Sequence, residues 1–523
     1  MSSSASRFSS LVVALTLSLA LAACGPQDTS PPAVSPGAAS TARGGPTGAI
    51  AWRQGDVDDA FAEARASGRP VLLYWGAVWC PPCNQLKATL FKQADFIALT
   101  RNFVPVYLDG DLPDAQAWGE QFSIKGYPTL IVLSPDRREL TRLAGGSDTP
   151  ALVGALQRAV SQRASVADVL QVALDSPASL DHDDWQALAD YGWEVDANRL
   201  SGTASAEGVL GRLADAAPDE VLRRRFALRA LPVPTDGPRS TPSEDTRPLL
   251  DALLASPDEL YANRETLFYK GASLVQQASR DRSEAQRLGA DLVAALEDAV
   301  DRSGQADSER LALTLTELQL HRQTHDGGPL PEALVEKARQ RAGAAEAGAK
   351  TLYERQATIS TAAYLLEQVG DAREAEALLL AELKRSHTPY YYMPALADLA
   401  EKRGDRAAAV DWLRQAYETS EGPATRVQWG VLYVDGLVRL RPDDNQAIEA
   451  AAAQVIAELD GKPQRYHQRT RQRFERLAAT LAAWSKTHRQ QDVLARLQAR
   501  MAQNCNGQGA GAEGTACLHW LQG

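Results

Sequence analysis

The stretch "VLLYWGAVWCPPCNQLKATLF", residues 71–91, joins an apolar run to a helical pattern through two cysteines. The run "VLLYWGA" is short and continuously apolar, which is typical of a strand buried on both faces of a sheet. Cys80 and Cys83 follow it with two residues between them, and the helical pattern continues to about Leu90. The pattern predicts a buried strand, then a helix whose first turn carries both cysteines.

The segments on either side of this stretch alternate between helical and strand patterns. Val57, Ala60, Phe61 and Ala64 have helical spacing, and "FVPVYLD" is a second apolar run. Further on, "PTLIVLS" and "ELTRLAG" flank the turn "PDRR" as a hairpin, and helical patterns surround them. The predicted order α-β-α-α-β-α-β-β-α indicates an α/β domain with a central mixed sheet covered by helices.

Three features of residues 50–162 together resemble the thioredoxin superfamily, in particular its periplasmic thioredoxin-like domains. They are "WCPPC" at 79–83 after a buried strand, "GYPT" at 126–129 before the next buried strand, and the pair Gly145–Gly146. The resemblance implies a thioredoxin fold and thiol–disulfide exchange. It does not extend to the rest of the chain.

The chemistry of exchange explains why cysteines stand at a helix start. Only the thiolate attacks a disulfide, and the first turn of a helix lowers a thiol pKa from its usual value of about 8.5. Cys80 is therefore the predicted nucleophile, and Cys83, one turn further in and less exposed, is the resolving cysteine. By resemblance Pro82 is the usual family proline, and Pro81 stiffens the motif loop further.

The resemblance also implies a substrate-binding surface around the pair. It predicts a cis bond before Pro128, which leaves the backbone of Tyr127 free to pair with an extended substrate segment beside Cys80. Trp79 is predicted to cover the sulfurs and to offer an apolar contact surface. Trp75, in contrast, is predicted to lie in the core.

One position departs from the family pattern. Thioredoxin itself has a buried aspartate six residues before the nucleophile, often with a lysine on the neighbouring strand. Here that position is Tyr74, and "FVPVYLD" contains no lysine. Proton transfer at Cys83 would then use water, a helix-end group or another acid, for which Glu120 and Asp109 are the candidates.

Two other interpretations of the cysteine pair are weaker. A metal site needs further ligands, and residues 50–160 contain no histidine and no other cysteine. A permanent structural disulfide across so small a loop gains little loop-closure entropy. Redox exchange is therefore favoured, and neither a metal nor a cofactor is expected.

The N-terminus predicts where the pair works. Residues 1–23 carry the apolar run "LVVALTLSLALAA", and "LAAC" at 21–24 resembles the lipobox of bacterial lipoproteins. The resemblance implies a lipoprotein signal peptide, lipidation at Cys24 and a periplasmic location, and Gly25 favours the outer membrane over the inner. Residues 24–49, rich in Pro, Gly, Ser and Thr, are predicted to be a disordered tether. An ordinary signal peptide is the alternative.

Residues 163–523 lack strand patterns and are predicted to be α-helical. Two segments, "GDAREAEALLLAELKRSHTP" at 370–389 and "GDRAAAVDWLRQAYETSEGP" at 404–423, align at a spacing of 34 residues. That period predicts tetratricopeptide-like repeats around residues 355–425. The region is either a concave surface for a client or partner protein, which residues 390–393 would line, or a buttress for the redox domain with those residues in its core.

Three further features of the sequence bear on the function. The pair Cys505 and Cys517 is predicted to form a structural disulfide in an oxidising compartment, with a second redox pair as the alternative. His321 and His325 either bind a metal or end a helix, where imidazoles favour the dipole. The formal net charge of −11 argues against a nucleic-acid partner.

Together these features predict a membrane-tethered periplasmic thiol–disulfide oxidoreductase, more a reductase or isomerase of protein disulfides than an oxidant. Its substrates would be protein disulfides, and a membrane thiol donor would supply electrons. The absence of histidine between Cys80 and Cys83 favours a reductant. The alternative is a helical-repeat client-binding or assembly lipoprotein whose thioredoxin fold serves mainly recognition.

Overall fold

The computed structural model describes residues 49–145, 149–196, 199–202, 204–232, 246–302, 306–325, 328–460, 465–505, 517–518 and 520. The predicted signal peptide, Cys24, the tether up to residue 48 and Gly146 lie outside the described residues. Within the described ranges, no helix combines the length and the apolar character needed to cross a membrane.

The N-terminal part of the chain contains a five-stranded mixed sheet. Its strands are β1 (Arg53–Gln54), β2 (Val71–Gly76), β3 (Val104–Asp109), β4 (Thr129–Leu133) and β5 (Glu139–Ala144). The spatial order is β1-β3-β2-β4-β5, with β2 parallel to β3 and antiparallel to β4. The predicted mixed sheet is confirmed. β1 was not predicted, because a strand of two exposed residues has no apolar pattern.

Five helices surround this sheet: α1 (Val57–Ser67), α2 (Pro81–Ala88), α3 (Ala94–Thr100), α4 (Pro113–Gln121) and α5 (Thr149–Ser161). The central strand β2 is buried on both faces, as its apolar run indicates. Leu73 and Trp75 point into the core on one side of the sheet, whereas Leu72 and Tyr74 point into the core on the other. Trp75 is thus a core residue, as predicted.

The rest of the described chain is helical. Its helices are α6 (Val166–Asp175), α7 (His182–Asp190), α8 (Ala206–Ala216), α9 (Glu220–Ala230), α10 (Thr246–Ala255), α11 (Pro257–Ala278), α12 (Arg282–Asp301), α13 (Ala306–Thr324), α14 (Glu332–Gly348), α15 (Leu352–Gln368), α16 (Ala372–Leu383), α17 (Met393–Lys402), α18 (Arg406–Thr419), α19 (Pro423–Leu440), α20 (Asn445–Ala457), α21 (Gln468–His488) and α22 (Gln491–Cys505). This confirms the predicted all-helical region.

The two aligned segments share a local geometry. Gly370 and Gly404 have φ angles of 92° and 85°, and each lies in a short turn between two consecutive helices. Because a side chain is strained at such angles, glycine is required at both places. The 34-residue spacing recognised in the sequence is therefore the spacing of these left-handed turns.

The structure also shows where the remaining residues singled out in the sequence lie. His321 and His325 lie at the end of α13 with their rings stacked 3.9 Å apart, and the described residues contain no cluster of three metal-ligand side chains. Cys505 and Cys517 are joined by a disulfide whose Cα atoms are 5.5 Å apart. All four residues from Tyr390 to Met393 are buried.

The helical region packs directly on the redox domain. Helix α15 contacts α2, which carries the cysteine pair, and α21 contacts α4. Lys92 at the end of the short turn after α2 lies 6.0 Å from the ring centre of Tyr353 on α15. The helical region is thus in contact with the elements that build the redox site.

Close packing between repeat helices gives a stability prediction. A Cβ at Gly430 of α19 would lie 2.5 Å from Cγ2 of Val455 and 3.1 Å from the ring of Tyr417. Because valine has a stiff χ1, this neighbour yields poorly, so Gly430→Ala should lower the free energy of unfolding by about 1–3 kcal/mol. Urea unfolding followed by circular dichroism measures the change.

Gly343 of α14 is the matched control, because a Cβ there meets no atom within 4 Å. Gly343→Ala should leave the free energy of unfolding unchanged or raise it by up to about 1 kcal/mol through helix propensity. Equal effects at the two glycines would contradict the packing argument.

Candidate redox site

The cysteine pair is built by the start of α2. Cys80 is the N-cap residue, Pro81 and Pro82 occupy the first two helical positions, and Cys83 follows. Prolines fit there because the backbone N–H groups they lack would have no partner inside the helix. The Sγ of Cys80 accepts a hydrogen bond from the backbone N–H of Cys83 at 3.2 Å, and the two residues form a disulfide. This N–H would stabilise a thiolate on Cys80.

The loop before β4 faces this pair through close packing. The Tyr127–Pro128 peptide bond is cis, as predicted. A Cβ on Gly145 would collide with the ring of Pro128 and approach Leu86 of α2, so only glycine fits. In the same way, the ring of Tyr127 occupies the space beside Gly110 and its hydroxyl donates to the Gly110 carbonyl at 3.1 Å. The role of Gly110 was not predicted.

Both cysteines are buried. Cys80 is 1% exposed, Cys83 is 0% exposed and Trp79 is 6% exposed. Trp79 was predicted to cover the sulfurs and to offer a contact surface, and in this arrangement its own ring is covered as well. The reason is the helical region, whose side chains share one apolar cluster with Trp79 and both cysteines.

Two side chains of the helical region lie against the Trp79 ring. Tyr391 stacks on it with ring centres 5.9 Å apart and planes 19° apart. The guanidinium of Arg469 lies 4.2 Å from the ring centre, and 5.5 Å from the ring centre of Tyr127. Stacked aromatic and cation–π contacts of this kind are attractive and are strengthened when water is excluded.

The position of Tyr391 is fixed from within the helical region. It belongs to a short 3-10 turn, and its neighbour Tyr392 is buried beside the ion pair of Arg355 and Glu382. Nε of Arg355 donates to Glu382 at 2.8 Å, and the Glu382 side chain is fully buried. Since Arg355 lies on α15, the helix that contacts α2, this ion pair and the Trp79 contact belong to one packed unit.

A buried carboxylate connects Trp79 to the start of α19. Asp111 is 6% exposed, and Nε1 of Trp79 donates to it at 3.2 Å. The backbone N–H and the hydroxyl of Thr425 both donate to Asp111, each at 2.7 Å. Burial raises the pKa of Asp111, an effect that the Thr425 hydrogen bonds and the charge of Arg469 oppose.

Asp111 acts as the cap that α19 lacks. The N-cap residue of α19 is Gly422, which has no side chain to accept the free N–H groups of the first turn. A Cβ at Gly422 would lie 2.7 Å from the Asp111 carboxylate. The glycine thus makes room for a capping carboxylate from the other domain.

Helix α21 is capped in the same manner. Its N-cap residue, His467, makes no side-chain capping bond. Instead, Glu120 of α4 accepts the backbone N–H of Gln468 at 2.9 Å, and Gln116 accepts that of Thr470 at 3.1 Å. Arg471 also forms an ion pair with Glu120 at 2.5 Å. Glu120 is therefore engaged at the interface between the domains.

The other predicted proton-transfer candidate, Asp109, lies at the end of β3 beside Gly76 at the end of β2. Burial raises the pKa of Asp109, and the charge of Lys87 opposes the shift. Burial lowers the pKa of Lys87, which follows Cys83 by one turn of α2 and lies 5.6 Å from the ring centre of Tyr107. A lysine does stand near this position, but on α2 and not on the strand.

Tyr74 does not take the place of the aspartate as a proton acceptor for Cys83. Its hydroxyl is buried without a hydrogen-bond partner, and burial raises its pKa well above the usual value. The residues at this site that the sequence analysis did not single out are Lys87, Asp111, Thr425 and Arg469, whereas Tyr391 is one of the residues 390–393 that it did name. Asp111 and Lys87 could have been noticed as charges next to buried strands and cysteines, but Thr425 and Arg469 lie hundreds of residues from the motif.

The sheet order, the cysteine pair at the start of α2 and the cis-proline loop define a thioredoxin-like domain. Residues 51–135 match the family model described as thioredoxin-like. This confirms the resemblance for the N-terminal part of the chain.

Two curated relatives are similar to part of the chain. The chain is 30% identical over 126 residues to the thiol:disulfide interchange protein DsbD of Ralstonia nicotianae, covering 24% of this chain and 19% of that protein. It is 30% identical over 93 residues to probable nucleoredoxin 3 of Oryza sativa subsp. japonica, covering 13% of this chain and 20% of that protein. The chain thus spans about a fifth of the length of these relatives. They support a thiol–disulfide oxidoreductase at the family level.

The raised pKa of Asp109 gives a pH prediction. A protonated Asp109 would assist departure of the Cys83 thiolate when dithiothreitol reduces the disulfide, so the rate per dithiothreitol thiolate should fall as pH rises through the pKa of Asp109. Asp109→Asn should remove this break. Because Lys87 lowers the pKa of Asp109, Lys87→Met should move the break to higher pH.

The exposed Asp114 at the start of α4 provides the control. Asp114→Asn should keep the wild-type pH profile. A profile that is the same in Asp109→Asn as in the wild type would show that Asp109 takes no part.

Proposed function

We propose that the protein is a thiol–disulfide oxidoreductase that acts on protein disulfides as a reductase or isomerase. The observation that supports this best is the Cys80–Cys83 pair, held at the N-cap of α2 in a thioredoxin-like domain. In this proposal Trp79, Tyr127 and Pro128 contact the substrate, while Pro81 and Pro82 hold the motif loop.

The reaction transfers two electrons. The Cys80 thiolate attacks one sulfur of the substrate disulfide, forms a mixed disulfide and releases the other sulfur as a thiolate, which takes up a proton. Cys83 then loses its proton and attacks Cys80, so that the second substrate sulfur leaves and the Cys80–Cys83 disulfide forms. A dithiol donor must reduce this disulfide before the next cycle.

The direction of transfer is proposed from the motif. No cationic side chain lies between Cys80 and Cys83, so the thiolate lacks the extra stabilisation that makes a strong oxidant. The Ralstonia relative is named for thiol–disulfide interchange. In this proposal a thiol donor at the membrane supplies the electrons.

The same proposal includes a location. The apolar run before "LAAC" and the residues that follow it favour a lipid anchor at Cys24, on the periplasmic side and more in the outer than the inner membrane. A pair in this compartment must be kept reduced by a donor if it is to reduce substrates.

Burial of both sulfurs favours a second candidate. A redox pair at 0% and 1% exposure is covered from substrates, so the thioredoxin fold would serve recognition while the helical region binds a client or assembles a complex. Catalysis by the pair distinguishes the two candidates.

We expect the full chain to accelerate insulin reduction by dithiothreitol and Cys80→Ser to abolish the acceleration, because Cys80 is the proposed nucleophile. Turbidity of the released insulin B chain measures the rate. Hydroxyethyl disulfide serves as a second, small substrate. Catalysis of neither by the wild type would favour the recognition candidate.

Equilibration of the same protein with glutathione redox buffers tests the direction. A reductase or isomerase should have a reduction potential between about −270 and −180 mV, and a value near −120 mV would indicate an oxidant. Cys505 and Cys517 are followed separately by mass spectrometry so that only the Cys80–Cys83 pair is scored.

The location has its own test. In a Gram-negative host, the wild-type chain should fractionate with the membranes and incorporate labelled palmitate, and Cys24→Ala should lose both because no other residue can accept the lipid. Recovery of Cys24→Ala in the membrane fraction with the wild-type yield would contradict a lipid anchor.

A further inference from the structure

Two helix ends of the helical region lie against the redox domain beside the cysteine pair. Helices α19 and α21 both lack side-chain caps of their own, and the redox domain supplies the capping acceptors through Asp111, Gln116 and Glu120. Helix N-termini need such acceptors when they are buried. The two domains therefore fit together through specific polar contacts and not by apolar packing alone.

These polar contacts surround Trp79, the residue next to the nucleophile. Its indole N–H donates to Asp111, and its ring contacts Tyr391 and Arg469. We call the set Trp79, Asp111, Tyr391, Thr425 and Arg469 the interdomain clamp. Four of its five members, all except Arg469, are buried.

The clamp occupies the space that a protein substrate would need. An extended polypeptide that pairs with the Tyr127 backbone requires a free strip about 4.8 Å wide beside the cis-proline loop. The Arg469 guanidinium lies 5.5 Å from the ring centre of Tyr127, Tyr391 stacks on Trp79, and Cys80 is only 1% exposed. With the clamp closed, Cys80 therefore presents almost no surface to a polypeptide.

We propose that the interdomain clamp determines which disulfides reach Cys80, and that a protein disulfide reacts only after Trp79 is released from Tyr391, Thr425-bound Asp111 and Arg469. A small disulfide needs a smaller opening and is less restricted. The clamp residues are specificity-determining residues of the reaction, supplied mainly by the helical region. This inference rests on the proposed oxidoreductase function.

The chemistry of the clamp favours reversible release. Each capping bond contributes little by itself, since loss of one cap shifts an equilibrium by roughly fivefold to tenfold. Opening returns Asp111 and Arg469 to water, where both charged groups are well solvated. A partner that contacts the helical region can thus expose the pair without unfolding either domain.

Two substitutions weaken the clamp while keeping its shape. Thr425→Val removes the hydroxyl that donates to Asp111 but keeps the backbone N–H, and Arg469→Leu removes the cation over Trp79 but keeps apolar contact. Thr480→Val is the matched control. Thr480 also donates its hydroxyl to an aspartate, Asp435, at 2.7 Å, but this pair joins α19 to α21 within the helical region.

The full-length reduced variants are compared on insulin and on hydroxyethyl disulfide. The Thr425→Val/Arg469→Leu double variant should reduce insulin about tenfold faster than wild type, with a change of less than about threefold for the small disulfide. Iodoacetamide should also label Cys80 about tenfold faster, as measured by mass spectrometry of the Cys80 peptide. Arg469→Lys, which keeps the cation, should remain closer to wild type than Arg469→Leu.

The outcomes separate the inference from the proposed function. An unchanged ratio of insulin to small-disulfide rates, in a double variant with the circular dichroism and melting temperature of Thr480→Val, would overturn the clamp while leaving the oxidoreductase function intact. Absence of Cys80-dependent reduction of either substrate in every variant would instead overturn the proposed function. If Thr480→Val changes the ratio as much as Thr425→Val does, the effect is general loosening and the clamp is again excluded.

Discussion

The carboxylate of Asp111 is the interaction on which the arrangement of the two regions depends. It receives the indole N–H of Trp79 from its own domain and the first-turn donors of α19 from the other. A buried carboxylate is costly unless hydrogen bonds compensate for the lost water, and here three donors converge on it. Burial raises the pKa of Asp111, and the Thr425 hydrogen bonds and the charge of Arg469 oppose that shift.

The redox motif was predictable from sequence because its determinants are local. A buried strand, a proline-flanked helix start and a proline in "GYPT" lie within residues 71–129, and each follows from short-range sterics or apolar periodicity. The cover over the pair was not predictable in this way. The sequence around Thr425 and Arg469 shows nothing unusual. Gly422 resembles an ordinary turn residue in the sequence, and only the structure shows the Asp111 carboxylate beside it. Interactions between distant segments produce no periodic pattern in the sequence.

The helical region shows the same division between local and distant information. The spacing of Gly370 and Gly404 predicted the repeat, because both glycines serve the geometry of their own turns. The sequence left two roles open for residues 390–393, a binding surface or a core. The structure places them in the core. Tyr391 also stacks on Trp79, so the same segment supports the helical packing and covers part of the redox site. Lys87 makes a similar point in the redox domain, because its charge acts on Asp109 from α2 and not from the neighbouring strand.

The helix caps also bear on the order in which the chain assembles. The residues joined by these caps are separated by 314, 348 and 354 positions along the chain. Domains tend to fold from the N-terminus as the chain is made, and contacts this distant form late. The redox domain would then be complete, with its cysteines uncovered, before α19 and α21 exist to cover it. Synthesis gives the pair an early period of exposure that the finished molecule no longer has.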